Sequence, residues 1–224
     1  MKTQILTAAL ALTAAAAHAG VLDFGNGPAV PTICSATGDG GGAFVACADY
    51  AKLNQAYGDI AGVLDVQYSQ PLSSGPSTLN WWSGSYNGLY GVLWADGGDG
   101  PASYARIDLV PLAGAAGVTL TSLDLGAYPN TTRNTDLKVF DLATNQVLYS
   151  YAGPVGSSIT ATSFNLGLSS TAGLRIEFRN TAYNVGIDNI AFQVTAVPEP
   201  ASASLALAGL AVLGATVARR RRAR

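Results

Sequence analysis

Histidine is almost absent from this chain: among 224 residues only His18 carries an imidazole, and it sits in the first twenty positions. If that end is a leader, the folded part has no histidine. Ser-His-Asp and Cys-His catalysis are then excluded, as are His-bearing zinc and non-haem iron centres. Glutamate is nearly as scarce. Glu177 is the sole one before Glu199. The surviving hydrolytic chemistry is the glycosidase kind, which needs two carboxylates facing one cleft. Glu177 lies between Arg175 and Arg179 on the polar side of an alternating segment. An exposed cross-strand ion pair accounts for it there, so the chain is read as no enzyme. No amphipathic helix of useful length is present either.

Charge is sparse and unevenly placed. The formal charge of −2 conceals that Lys2 and five arginines after residue 218 make up half of the basic residues. Residues 20–196 retain six basic side chains against thirteen acidic ones, twelve of them aspartate. An acidic domain of this kind excludes nucleic acid as a partner and disfavours anionic lipid. Divalent cations suit it better, since hard cations take oxygen ligands. Aspartate in Gly-rich loops is also the ordinary choice for turns.

The two ends carry targeting features. Lys2 supplies a positive start, residues 5–17 an apolar stretch, and Ala17-His18-Ala19 the small-x-small pattern that signal peptidase accepts. Residues 1–19 are therefore predicted to be a signal peptide cut before Gly20. At the other end stand Val197-Pro198-Glu199-Pro200, an uncharged apolar run over 201–218, and Arg219, Arg220, Arg221, Arg222 and Arg224. The run is long enough for one transmembrane helix. The arginines hold its end on the cytoplasmic side. Residues 197–200 are thus read as a motif, 201–218 as a membrane helix and 219–224 as a basic stop. This order of motif, apolar helix and arginine cluster resembles the PEP-CTERM sorting signal of Gram-negative bacteria, which exosortases read. The resemblance implies export, transient inner-membrane anchoring, processing near Pro198-Glu199-Pro200, and delivery to the envelope or extracellular matrix.

Between the ends lies one domain's length of chain, residues 20–196. Cys34 and Cys47 are its only cysteines. In an oxidising compartment they read as one disulfide closing a small loop that contains Gly38-Asp39-Gly40-Gly41-Gly42, a flexible stretch. The rival is a metal site, for which two cysteines supply half the ligands, or a reactive thiol. Residues 49–57 carry a weak helical tendency, one turn or two.

From residue 61 onward the pattern is β. Leu64, Val66 and Tyr68 alternate with polar neighbours, as do Ala105, Ile107 and Leu109, and Leu174, Ile176 and Phe178. Residues 137–142 read as a strand apolar on both faces. Turn signals such as Asp96-Gly97-Gly98-Asp99-Gly100-Pro101 separate these segments. Short strands at this spacing predict an all-β antiparallel sandwich, with a jelly roll as first choice. The apolar parity slips between Leu120 and Leu123 and again at Asp188-Asn189, which predicts β-bulges.

Residues 185–192 resemble the closing strand of galactose-binding-like jelly rolls and related carbohydrate-binding modules. That resemblance implies a structural calcium helped by Asp188; the alternative is that Asp188 and Asn189 cap nearby backbone amides. Residues 53–59 and 186–190 resemble phrases of small PEP-CTERM ectodomains, a group without a settled activity. Trp81, Trp82, Tyr86, Tyr90, Trp94 and Tyr104 fall close together. Exposed rings of this kind stack on sugars. Trp81 and Trp82 are adjacent in a predicted strand, so they point to opposite faces, and the outward one is the sugar-binding candidate. The functional expectation is an exosortase-sorted surface protein with a non-catalytic ectodomain. Its alternative is a carbohydrate-binding module for exopolysaccharide, and a carboxylate-dependent polysaccharide-active enzyme stands third.

Overall fold

A computed structural model describes residues 17–197, apart from positions 26, 28, 71–76, 98–99 and 181–183. Most of the predicted signal peptide, the prolines and glutamate of the sorting motif, the membrane helix and the arginine stop lie outside the described residues. Among the described residues there is no helix, and thirteen strands make up the regular structure. In chain order they are β1 Ala17–Leu22, β2 Cys34–Ser35, β3 Phe44–Val45, β4 Leu64–Ser69, β5 Asn80–Trp82, β6 Val92–Trp94 and β7 Gly100–Pro111. There follow β8 Ala115–Ala127, β9 Arg133–Asp141, β10 Val147–Val155, β11 Thr162–Ser170, β12 Leu174–Asn180 and β13 Val185–Ala196.

Six strands form one antiparallel sheet, ordered β11-β8-β13-β6-β5 with β1 added to β13. Five form the other, ordered β10-β9-β12-β7-β4, and β2 and β3 make a small ribbon. From β6 to β13 the chain passes back and forth between the sheets, placing β6, β13, β8 and β11 in one and β7, β12, β9 and β10 in the other. That eight-strand order, with its paired Greek keys, is a jelly roll.

The core lies between the inner faces. Leu120, Leu125, Ile187, Ile190 and Val194 come from the first sheet; Val66, Ile107, Leu109, Val139, Ile176 and Phe178 come from the second, all fully buried. Each such side chain stabilises the fold by about 1.5–3 kcal/mol. Polar residues alternate with them because the opposite face meets solvent, which is why the period-2 segments of the sequence are strands.

Both parity slips are bulges. Between Asp188 and Ala191 strand β13 advances three residues while β8 moves two, from Asp124 to Ser122. From Ser122 to Leu120, β8 then advances two while β13 moves one, to Phe192. Asn189 absorbs the first bulge in a left-handed conformation, φ 53°.

Several expectations are corrected. Residues 49–57 are not helical: Lys52 bridges Asn80 and Leu53 bridges Cys34, so the segment is extended and then turns at Asn54. The Gly-rich loop is docked. Gly40 O accepts Gln55 N at 2.8 Å, and Asn54 Nδ2 donates to Gly42 O at 3.0 Å. In β9, Leu137 and Val139 are buried while Lys138 and Phe140 are half-buried, so only one face is core. Glu177 is not exposed; it is 1% accessible beneath its ion pair with Arg106. Strand β1 begins at Ala17, so regular structure reaches three residues into the predicted leader.

Candidate functional site

Strand β5 divides its tryptophans as alternation requires. Trp81 enters the core and its Nε1 donates to Phe24 O at 2.7 Å. Trp82 points to the outer face of the six-stranded sheet, half-buried among other rings. Tyr50 meets it edge-on at 4.9 Å and 89°, Tyr128 at 5.8 Å and 74°, and Trp94 at 6.5 Å and 78°. Tyr86 packs on Tyr128 at 5.5 Å. Together with Asn184 these rings line a recess of about 260 Å³.

The recess is built by segments far apart in sequence. Asn87, fully buried and left-handed at φ 55°, clamps two of them. Its Nδ2 donates to Thr131 O and Ser158 O, both at 2.9 Å, while its Oδ1 accepts Ala127 N. Tyr128 N bonds Asn184 O, and Asn130 N bonds Ser85 O. The turn bearing Tyr86 is thus fixed against the turn bearing Tyr128. Tyr50 is held by its own N–H to Trp81 O, and Asp49 Oδ1 accepts Ser83 N. Tyr50 remains 61% accessible, a ring at the rim.

Of the aromatics singled out in the sequence, Trp82, Tyr86 and Trp94 line the recess. Trp81 does not, because it is core. Tyr90 is exposed elsewhere, and Tyr104 lies on the other sheet beneath Arg106, whose guanidinium stands 4.5 Å from its ring. Sequence reading missed Tyr50, Tyr128 and Asn184. The turn signal Tyr128-Pro129-Asn130 was legible, but its proximity to Trp82 was not.

Two acids of the five-stranded sheet are engaged with cations. Glu177 Oε2 accepts Arg106 Nε at 2.7 Å, and both Asp108 oxygens accept Arg175, at 2.9 and 2.7 Å. The Asp108 hydrogen bond holds the Arg175 guanidinium above its ordinary pKa. Two carboxylates committed to arginines are poorly placed for acid–base work.

Asp188 is 2% accessible, opposite Asp124 in the β13–β8 register. Its Oδ1 accepts Phe24 N at 3.0 Å, fastening the chain after β1 to β13. Burial pushes its carboxyl up to about 7, with Asp23 and Asp124 adding repulsion. Asn189 Nδ2 donates to Asp124 Oδ2 at 2.9 Å. Among the described residues no group of three or more His, Cys, Asp or Glu side chains is placed to hold a metal ion. Cys34 and Cys47 form the disulfide, with Cα atoms 5.1 Å apart.

Comparisons with solved structures return carbohydrate-related folds at low similarity. A GH26-CBM35 β-(1,4)-mannanase of Podospora anserina is 14% identical, with TM-score 0.31, covering 62% of this chain and 29% of its own. This chain thus spans under a third of that enzyme. A family 29 carbohydrate-binding module of Piromyces equi is 17% identical, with TM-score 0.29, covering 62% and 93%. The CBM27-1 module of Caldicellulosiruptor saccharolyticus, solved with mannohexaose, is 13% identical, with TM-score 0.34, covering 78% and 96%. At such scores the likeness carries no argument, and the jelly roll rests on the strand order itself. No curated protein matches the chain. Its tail does match a family: residues 196–222 fit the PEP-CTERM protein-sorting motif, which makes this an exported protein sorted by an exosortase.

Proposed function

We propose that the ectodomain is a non-catalytic carbohydrate-binding module, displayed on the envelope or in the extracellular matrix of a Gram-negative bacterium. Its leader, residues 1–19, is removed by signal peptidase. Residues 20–196 are the working domain. Residues 197–224 are held in the inner membrane with the basic end cytoplasmic until exosortase cuts near Pro198-Glu199-Pro200. The proline pair supports that processing, since prolines disfavour both helix and sheet.

The aromatic recess around Trp82 carries the binding reading. A volume of about 260 Å³ suits one sugar ring, apolar ring faces match its C–H surface, and Asn184 adds a polar residue to the lining. Asn184 immediately precedes β13.

A glycan array with the mature protein, repeated with Trp82→Ala, tests this. About tenfold weaker binding in the variant, with a melting temperature that falls far less than in Trp81→Ala, is expected. Equal binding by both proteins refutes the assignment. For the tail, exosortase deletion is expected to leave precursor in the inner membrane. Finding the intact arginine tail on all mature wild-type protein refutes processing.

A further inference from the structure

The outer face of the five-stranded sheet carries a second cleft, of about 320 Å³. Gln67 and Ser69 of β4, Asp108 of β7, Ser77, Thr78 and Asp39 line it. Thr78 is 0% accessible, and its Oγ1 has no hydrogen-bond partner among the described residues. A buried hydroxyl left so costs free energy unless a ligand group meets it.

The disulfide loop contributes Asp39 to the cleft. Cys34–Cys47 and the β2–β3 ribbon hold it, and Gly40, at φ 90°, lets its backbone close onto Thr78. A Cβ on Gly40 would fall 2.8 Å from Thr78 Cγ2. Asp39 is presented beside this contact. Both hydrogen bonds that it accepts, from Thr37 Oγ1 and Gly41 N, fall on Oδ1, so Oδ2 is spared by them.

The chemistry of the cleft is narrow. Arg175 is spent on Asp108, so its cation is not available to an anion. Asp39 repels anions further, its carboxyl held below the usual range by the Thr37 and Gly41 hydrogen bonds. What remains are acceptors and hydroxyls: Asp39 Oδ2, Gln67 Oε1, Ser69, Ser77 and Thr78. Such a set calls for a ligand rich in hydroxyl donors.

We infer that this cleft is a second subsite for a neutral saccharide, on the sheet opposite the Trp82 recess, and that the domain bridges two polysaccharide chains. The inference rests on the glycan reading of the ectodomain given above. Gln67 and Asp108 alternate with core-facing Val66, Ile107 and Leu109, whereas Trp82 alternates with core-facing Trp81. The two sites therefore open on opposite faces and cannot share one extended chain lying flat. Bridging multiplies avidity for a polymer without any added contact.

The test uses the mature protein with dextran, mannan, β-glucan and xylan, reading affinity by calorimetry and cross-linking by light scattering. Two sites and cross-linking are expected with at least one polymer. Trp82→Ala is expected to leave one site and no cross-linking. Thr78→Val and Gln67→Ala are expected to weaken the other site about five- to tenfold and to abolish cross-linking likewise. Thr78→Val removes a buried unpaired hydroxyl, so it leaves the free protein at least as stable, and lost binding is not lost folding. A single site removed by Trp82→Ala and indifferent to Thr78→Val and Gln67→Ala overturns this inference while sparing the recess. A single site with the reverse sensitivity overturns the recess and with it the bridging, and leaves the cleft as the one binding site. No binding to any of the four polymers overturns both.

Discussion

Raising the pH from 5 to 8 should destabilise this domain, because Asp188 has to ionise in a place that resists charge. Its side chain is buried, so desolvation lifts the carboxyl from 3.8 to about 7. Asp23 and Asp124 add like charge, and the Phe24 N–H compensates only in part. The folded state therefore holds a proton that the unfolded chain has released. The stabilisation is complete below about 4, drains away as the pH climbs toward 7, and is gone above it. A shift of roughly three units is worth about 4 kcal/mol across that whole window. Between pH 5 and 7 about two units apply, or roughly 3 kcal/mol. For a domain of this size that lowers the melting temperature by about 6–12 °C. Tyr57 and Tyr68, raised mainly by burial, act only above their ordinary value of 10. Asp39 and Asp141, lowered by their hydrogen bonds, act near or below pH 4.

Two substitutions separate the charge from the contact. Asp188→Asn keeps an oxygen for Phe24 N and carries no charge, so its melting temperature should be nearly flat from pH 5 to 8 and exceed the wild type's at pH 8. Asp188→Ala removes the acceptor from a buried amide and should be less stable at pH 5, by about 1–3 kcal/mol. Calorimetric melting of all three proteins checks this. A wild-type midpoint that does not fall between pH 5 and 8, or that moves in parallel with Asp188→Asn, refutes the reasoning. The same melts test the proposal of calcium at Asp188. A midpoint at pH 8 that rises with calcium, falls with chelator and is insensitive in Asp188→Asn would assign a cation to the ionised carboxylate. An unchanged midpoint leaves Asp188 as the acceptor for Phe24.

Opening the Cys34–Cys47 bond by reduction, or replacing both cysteines with serine, should cost about 3 kcal/mol in urea unfolding, since the bridge closes a loop of thirteen positions. Trp81→Ala and Trp82→Ala should differ sharply: the core residue costs about 3–5 kcal/mol, while the outward one costs much less and registers in binding. Arg106→Met should destabilise by about 3 kcal/mol because it takes a cation away from the buried Glu177 carboxylate, and Arg106→Met combined with Glu177→Leu should recover part of that loss.

How far the sequence carried depended on how local each cause was. Alternation in β4, β7 and β12 was legible because each strand has one apolar core face and one polar face. The bulges were legible because an extra residue must flip parity. The disulfide followed from having two cysteines and no metal-ligating companions, and the opposed tryptophans followed from strand geometry alone. Glu177 was misread because accessibility on a strand's polar face depends on which side chains lie across it; here Arg106 comes from β7, 71 residues away. Residues 49–57 look weakly helical in isolation, yet tertiary bridges to Asn80 and Cys34 hold them extended. The recess shows the same limit more strongly. Its rings come from positions 50 to 128, and only the passage of the chain between sheets brings them together. Neighbours in sequence did not stay neighbours: Tyr104, ten residues after Trp94, crosses to the other sheet, while Tyr128 and Asn184 arrive from β8 and the start of β13. A cluster of aromatics in sequence is thus evidence that rings are available. The jelly-roll connections decide which of them share a surface, and the buried Asn87 clamp fixes them there.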